Sequence, residues 1–291
     1  MEDTLKKIAL LLVIVGILSI SSIFIAIILS FSSGSTTTSG SVAVIPIKGV
    51  IAFGSDPWSD TVDPDQVTDW IKEADEDPAV KVILLDINSP GGSPVASDEI
   101  GAAIQRTNKT VVAWIRESGA SGAYWIASNS DHIIANRMSI TGSVGVTASY
   151  IEFGGTLERY NASYQEFHSG QFKEVGSPYR EPTVAERALF QAKIDKIHEF
   201  FLDEVKRNRN LTDSQVRTIS TGEFFLGVEA KELGLVDELG SRNEVNQYLK
   251  VQLGEEPSYA YYEKPRTFIQ ELGMLRRSFI PGVSEGATLR T

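Results

Sequence analysis

Two apolar runs constrain this chain more than anything else in it. Val80–Ile87 (VKVILLDI) and Thr110–Ile115 (TVVAWI) read as continuous buried strands without a polar face. Such strands belong in a parallel sheet, because the crossover helices of βαβ units cover both of its faces. SPGGS at 89–93 breaks the first run, and Val95–Gln105 is expected to follow as a helix. Gly119–Ser128 is expected as a short helix after the second run, and His132–Ala135 as a further strand. Upstream, VAVIPIKGVI from Val42 reads as a strand stopped by Gly54 and Pro57, and Asp65–Asp75 as a short helix. The alternation predicts an α/β domain with right-handed crossovers.

Downstream the period changes. Thr183 with Glu186 three residues on is a capping-box signature. Phe190, Ile194, Ile197, Phe201 and Val205 then recur at helical spacing, which predicts one long helix over Thr183–Asn208. Thr212 with Gln215 repeats the signature. Glu223–Leu239 is expected to hold a helix and a short strand, and Asn243–Leu253 another helix. From Glu255 to Thr291 the pattern weakens, and this stretch is expected as a tail.

The N-terminal stretch has another character. Residues 8–47 carry no charged side chain, and Ile8–Phe31 is almost wholly apolar. These 24 residues would span about 36 Å as a helix, against a bilayer core of about 30 Å. A cleaved signal peptide has a shorter apolar region of about 7–15 residues. The expectation is a transmembrane helix over 8–31, a cytoplasmic N-terminus over 1–7, a Ser/Thr/Gly-rich linker over 32–41 and a folded domain over 42–254. Lys6 and Lys7 before the span keep the N-terminus inside by the positive-inside rule, which puts the domain outside the cytoplasm.

Composition closes off several chemistries. The 291-residue chain has 27 Lys+Arg against 38 Asp+Glu, a net charge of −11. Such a chain repels phosphate backbones, so nucleic acid is not an expected partner. With no cysteine there is no thiol nucleophile, disulfide framework or zinc ribbon. No HExxH pair and no phosphate-binding G-x-x-x-x-G-K-[ST] loop occurs, so neither a metal nor a nucleotide cofactor is expected.

Four segments carry residues suited to chemistry. Asn88-Ser89-Pro90-Gly91-Gly92 ends a buried strand, and crevices at strand C-termini are where open α/β sheets bind ligands. The glycines there leave backbone N–H groups free to hold an oxyanion, although a plain strand-to-helix turn would look the same. Ser121, in Glu117–Trp125, stands among small residues where a strand gives way to a helix; it suits a nucleophile or an ordinary N-cap. Ala123 replaces the last glycine of a G-x-S-x-G elbow, which argues against an α/β-hydrolase. Thr141–Val146 (TGSVGV) reads alone as a turn between strands. Phe167–Pro178 contains Lys173, which alone would be a solvated lysine. Of three histidines, His132 is expected to be structural, His198 to face the polar side of the long helix, and His168 to be the one a Ser-His-Asp triad could use.

Taken together, DINSPGG at 86–92, ASGAYWIA at 120–127, TGSVGV at 141–146, SGQFKEVGSP at 169–178 and LGLVDELG at 233–240 resemble the signal peptide peptidase A family. These are membrane-anchored serine proteases of the Ser-Lys type. The resemblance covers roughly residues 42–249 and implies a Clp protease/crotonase-like fold of repeated β-β-α units. It also implies Ser121 as nucleophile, Lys173 as general base, Ser143 as the residue that orients the amine, and backbone N–H groups of Gly92 (or Gly91) and Gly122 as the oxyanion hole. Tyr124 and Trp125 are candidates for the wall of a substrate pocket, or equally core aromatics.

A lysine that serves as a base must be neutral, which burial among apolar neighbours favours. Phe167, Phe172 and Val175 suit that environment, and Glu174 is expected to point away from the amine. The resemblance further implies a homo-oligomer with nucleophile and lysine from neighbouring protomers, acting on hydrophobic peptides such as signal-peptide remnants. Alternatives are a Clp-like protease with His168 as base, a stomatin-associated membrane protease, a crotonase-type acyl-CoA enzyme, and a catalytically silent scaffold of the same fold.

Overall fold

The computed structural model describes residues 40–54 and 61–263, with positions 15, 16, 18, 19, 21 and 22 of the N-terminal stretch. Those few positions are helical, and Ser19 Oγ donates to Val15 O at 2.8 Å. Among the described residues no helix is long and apolar enough to cross a membrane. The expected span over 8–31 otherwise falls outside the described residues, as do most of the linker and the chain beyond Glu263. Ser39–Tyr261 form one compact unit.

That unit is built on a parallel sheet. Its strands are β1 (Val42–Lys48), β4 (Val82–Ser89), β5 (Thr110–Ala120), β6 (His132–Ala135), β9 (Glu238–Leu239) and β10 (Tyr259–Tyr261). The order across the sheet is β10-β1-β4-β5-β6-β9, every neighbour parallel. Val44, Leu84 and Val112 lie side by side across the central three strands. β7 (Ile140–Gly142) runs parallel to the far end of β5, and β8 (Phe224–Leu226) runs antiparallel to β7. β2 (Val50–Ile51) and β3 (Thr61–Val62) make a separate two-stranded piece.

The helices are α1 (Pro64–Glu76), α2 (Pro94–Arg106), α3 (Gly122–Ser128), α4 (Gly154–Arg159), α5 (Val184–Arg209), α6 (Asp213–Ile219), α7 (Gly227–Glu232) and α8 (Arg242–Leu253). Their starts follow local chemistry. Asp63 and Ser93 accept from the first-turn N–H groups of α1 and α2, and each helix has proline in its first turn, where a missing donor costs nothing. Thr183 and Thr212 close the expected capping boxes with Glu186 and Gln215.

The continuous apolar character of the central strands has its cause in burial on both faces. Val42, Val44, Val82, Leu84, Val112, Trp114 and Ile134 pack on Val245 and Leu249 of α8. The alternate residues Ala43, Ile45, Ile83, Leu85, Ala113 and Ile133 are fully buried on the other side, where α1 and α3 pack on the strands. Burying each such Ile or Leu stabilises the fold by about 1.5–3 kcal/mol relative to exposure.

Two elements differ from the expectation. β5 does not stop at Ile115 but continues to Ala120, and α3 begins only at Gly122. Pairing of Ser118–Ala120 with β7 and of Gly119 with Ser89 holds this glycine-containing stretch extended. The expected tail from Glu255 contains β10, an edge strand of the sheet, with Val42, Ala43 and Val44 opposite Tyr259, Ala260 and Tyr261. Its short weakly patterned run is made a strand by the exposed ladder of β1, a long-range cause that no local window contains.

Candidate active site

The C-terminal ends of β4 and β5 meet at two loops in backbone contact. A Cβ on Gly91 (φ +100°) would lie 2.7 Å from Gly122 N and 2.8 Å from Ser121 Cβ. A Cβ on Gly92 would lie 2.0 Å from Ile51 O, so no side chain fits there either. Ile51 clamps this loop from the other side: its N–H donates to Gly91 O at 3.0 Å, and its carbonyl accepts from Ser93 N at 2.8 Å. The fully buried Ser89 adds an internal tie, its Oγ accepting from Gly91 N at 3.1 Å.

Ser121 occupies the junction between β5 and α3 with φ +53° and ψ −127°. A non-glycine residue held there stores of order 1–3 kcal/mol of strain, supplied by the surrounding structure. Its backbone is fixed: Ser121 N donates to Gly142 O at 2.9 Å, and Ser121 O accepts from Tyr124 N and Trp125 N. Its hydroxyl does not cap the helix. Ser121 stands at the N-cap position, yet its half-buried side chain is left for other use.

Two N–H groups stand beside it. Among the described residues neither Gly92 N nor Gly122 N donates to a protein acceptor, whereas Gly91 N is taken by Ser89. A Cβ on Gly122 would lie 3.3 Å from Gly92 N and 2.4 Å from Ser97 Oγ, so the two groups are close neighbours. Paired, unengaged donors next to a free hydroxyl are the geometry that holds a developing oxyanion.

Ser143 follows Gly142, whose carbonyl holds the Ser121 N–H, so strand pairing brings the two serines together. Ser143 too has positive φ (+50°). Its N–H donates to Glu223 O at 3.0 Å and its Oγ to Gly222 O at 3.4 Å. The next residue, Val144, is fully buried, and its carbonyl lies 3.0 Å from His198 Nε2 on α5. His198 therefore braces the Ser143 turn instead of facing solvent. Its sequence position gave no sign of this, because the contact joins residues 54 apart.

Lys173 stands apart from this cluster. It lies in an exposed turn, its N–H donating to Gly170 O at 3.1 Å. Among the described residues its amine makes no hydrogen bond or ion pair, and none joins it to Glu174. Phe167 is 94% exposed and Phe172 is 41% exposed, so the expected apolar enclosure is not present within one chain. His168 is engaged elsewhere, with Nδ1 2.9 Å from Glu166 Oε1.

Tyr124 and Trp125 are buried core residues of this chain, the second of the two readings their sequence left open. Tyr124 is fully buried, its OH donating to Leu235 O at 2.8 Å, and burial pushes its phenol above the usual tyrosine range. Trp125 stacks on Phe201 at 4.8 Å between centroids. The reason is helical geometry: Ser121 sits at the open end of α3, and the residues that follow it turn inward. His132 is structural, stacked on Tyr248 at 4.1 Å. Among the described residues no group of three or more His, Asp or Glu side chains is placed to hold a metal ion.

A parallel α/β sheet carries a strained serine and paired free N–H groups at its strand ends, an arrangement suited to acyl transfer. The sequence of residues 103–255, more than half of the chain, matches the model of peptidase family S49. A protein of Methanocaldococcus jannaschii named as a protease is 29% identical over 258 residues, covering 84% of this chain and 83% of its own. A protein of Enterococcus faecium named as a signal peptide peptidase SppA is 33% identical over 183 residues, covering 62% of this chain and 53% of its own. The chain thus spans about half of that second relative. The fold is also that of the 1510-N membrane-bound stomatin-specific protease, solved as a Lys-to-Ala mutant in complex with a substrate peptide (TM-score 0.50, 17% identity, 81% of this chain and 97% of that one). The chain belongs to peptidase family S49, with the signal peptide peptidase A proteins, and is a serine peptidase of that family.

Proposed function

We propose that this chain is a membrane-anchored endopeptidase that works through a Ser121–Lys173 dyad on hydrophobic peptides, signal-peptide remnants among them. The observation that carries the reading is the strained Ser121, its hydroxyl uncommitted, beside the unpaired N–H groups of Gly92 and Gly122. Neutral Lys173 takes the Ser121 proton as Oγ attacks the peptide carbonyl carbon. The carbonyl electron pair moves onto oxygen, where the two N–H groups hold it. Collapse of the intermediate breaks the C–N bond, and the leaving amine takes the proton back from the Lys173 ammonium. Water, deprotonated by Lys173, then opens the ester and Ser121 is regenerated. Ser143 orients the amine, a role supported by its place next to the carbonyl that fixes Ser121.

The exposed setting of Lys173 supports a dyad completed between copies. A neighbouring protomer that seats this turn against its own Ser121 would supply the apolar enclosure through Phe167 and Phe172, which the single chain leaves open. The protease domain covers residues 42–254 and extends through β10, tethered by 32–41 to a transmembrane helix over 8–31 with the catalytic domain outside the cytoplasm. Ser121→Ala and Lys173→Ala in the full chain test the reading. Each should abolish cleavage of a hydrophobic peptide. Full activity in Lys173→Ala would end it. His168→Ala should stay active, and its inactivity would favour a histidine base. A stomatin-derived peptide cleaved in preference to a signal-peptide remnant would move the substrate to that of the structural neighbour.

A further inference from the structure

The turn that carries Lys173 has little backbone support. Within the turn its backbone hydrogen bonds are local (Lys173 N to Gly170 O, Val175 N to Phe172 O and Ser177 N to Glu174 O), and one longer-range bond, Phe153 N to Pro178 O at 2.7 Å, ties the loop near its end. A cluster of side chains on either side of it also holds the segment. Glu166 meets two partners, His168 Nδ1 at 2.9 Å from Oε1 and Arg180 Nε at 3.1 Å from Oε2. Arg180 turns its remaining nitrogens onto Glu186, with NH1 to Oε2 and NH2 to Oε1 both at 2.8 Å. Glu186 belongs to the first turn of the 26-residue α5, is 3% exposed, and also accepts from Thr183 N at 2.7 Å.

Arg180 thereby closes the ends of the 166–180 loop on each other and ties both to the start of a long, well-formed helix. A two-point contact of this kind fixes orientation as well as distance, because the planar guanidinium matches the carboxylate fork. Its net stabilisation in a partly exposed setting is small. Geometry, more than stability, is what such a cluster supplies, and the residue it presents midway is Lys173.

We propose that Glu166, Arg180 and Glu186 form a clasp that positions Lys173 for proton transfer. The proposal rests on the reading of Lys173 as the base. None of the three touches the reacting atoms; they act through the turn they hold. His168, a candidate base by sequence, touches Glu166 from outside the clasp and is not one of its three members.

The test uses the full chain with Arg180→Lys, which keeps a cation but loses the fork, and Glu166→Gln, which leaves the Arg180–Glu186 contact in place. Steady-state cleavage of a fluorogenic hydrophobic peptide, thermal unfolding, and the rate of Ser121 labelling by a fluorophosphonate are measured. A small displacement of a catalytic group costs on the order of tenfold to a hundredfold. That loss is expected in kcat for Arg180→Lys, with KM within about twofold and the unfolding midpoint little moved. In the Lys173→Ala background the same substitutions should cause no further loss of labelling, since residues acting through one group are non-additive. Unchanged kcat in both variants, with Lys173→Ala inactive, overturns the clasp and leaves the dyad standing. Losses that add to Lys173→Ala, or that follow the unfolding midpoint, overturn it as well. Full activity in Lys173→Ala itself removes the base and the clasp together. If Arg180→Lys does not fold, Glu166→Gln decides between these outcomes.

Discussion

The Ser121 end and the Lys173 end of this protein are built in opposite ways. Ser121 is held by the sheet: its N–H on Gly142 O, its carbonyl under α3, its neighbouring loop clamped by Ile51. Lys173 sits on an exposed turn flanked by the Glu166, Arg180 and Glu186 side chains. The first end has its hydroxyl and two unpaired N–H groups side by side within one chain. The second presents an amine with no partner among the described residues and aromatic side chains open to solvent. Oxyanion stabilisation needs preorganised donors that do not move.

The largest effect that would sharpen this contrast comes from mixing. Inactive Ser121→Ala and inactive Lys173→Ala chains, unfolded and reassembled together, should recover a substantial part of parent activity if the dyad spans two copies. No recovery would place both groups in one chain. Next comes Gly92→Ala: a methyl group 2.0 Å from Ile51 O must push the loop away. Turnover should fall at least about a hundredfold, as when an oxyanion donor is lost. The same variant should leave proteolytic sensitivity of the 166–180 turn unaltered, because the clasp does not touch Ile51.

A pH effect follows for the clasp alone. Arg180, and then the Thr183 N–H, hold the Glu186 carboxyl down to about 2 from its ordinary 4.5. A lowered folded-state value means that the unfolded chain binds the proton first as pH falls. The stabilisation is whole above about 4.5 and is lost as pH drops toward about 2. Limited proteolysis by pepsin should therefore cut within 166–180 increasingly over that window before the sheet is attacked, and Arg180→Lys should move the onset to higher pH. Simultaneous loss of sheet and turn would contradict the separation of the two regions. The smallest effect is expected in the core beside the nucleophile. Tyr124→Phe removes one buried hydrogen bond to Leu235 O, worth about 1 kcal/mol in unfolding free energy, and kcat should hold.

Much of the fold was legible because its signals are local. Val80–Ile87 and His132–Ala135 announce buried strands through predominantly apolar runs, and Thr183 with Glu186 announces α5 through a cap that needs only four residues. Ser121, Gly92 and Gly122 were legible as candidates only through motif resemblance, since a plain strand-to-helix turn or an N-cap would use the same small residues. The clasp was not, because Glu166, Arg180 and Glu186 are ordinary surface residue types whose meeting depends on how the loop folds back. His198 was missed because a polar residue on an amphipathic helix gives no sign of a carbonyl 54 residues away.

The sequence alone determined the alternation of strands and helices, the helix starts and the residue types at the strand ends, since propensity, capping and hydrophobic period act over a few residues. Tertiary structure decided the rest: that β5 continues to Ala120, that Tyr259–Tyr261 joins the sheet, that Tyr124 and Trp125 turn into the core, and that Ser121 keeps a strained backbone. Each of these requires a partner distant in sequence, and only the packed fold supplies the contact energy that holds a segment against its local preference.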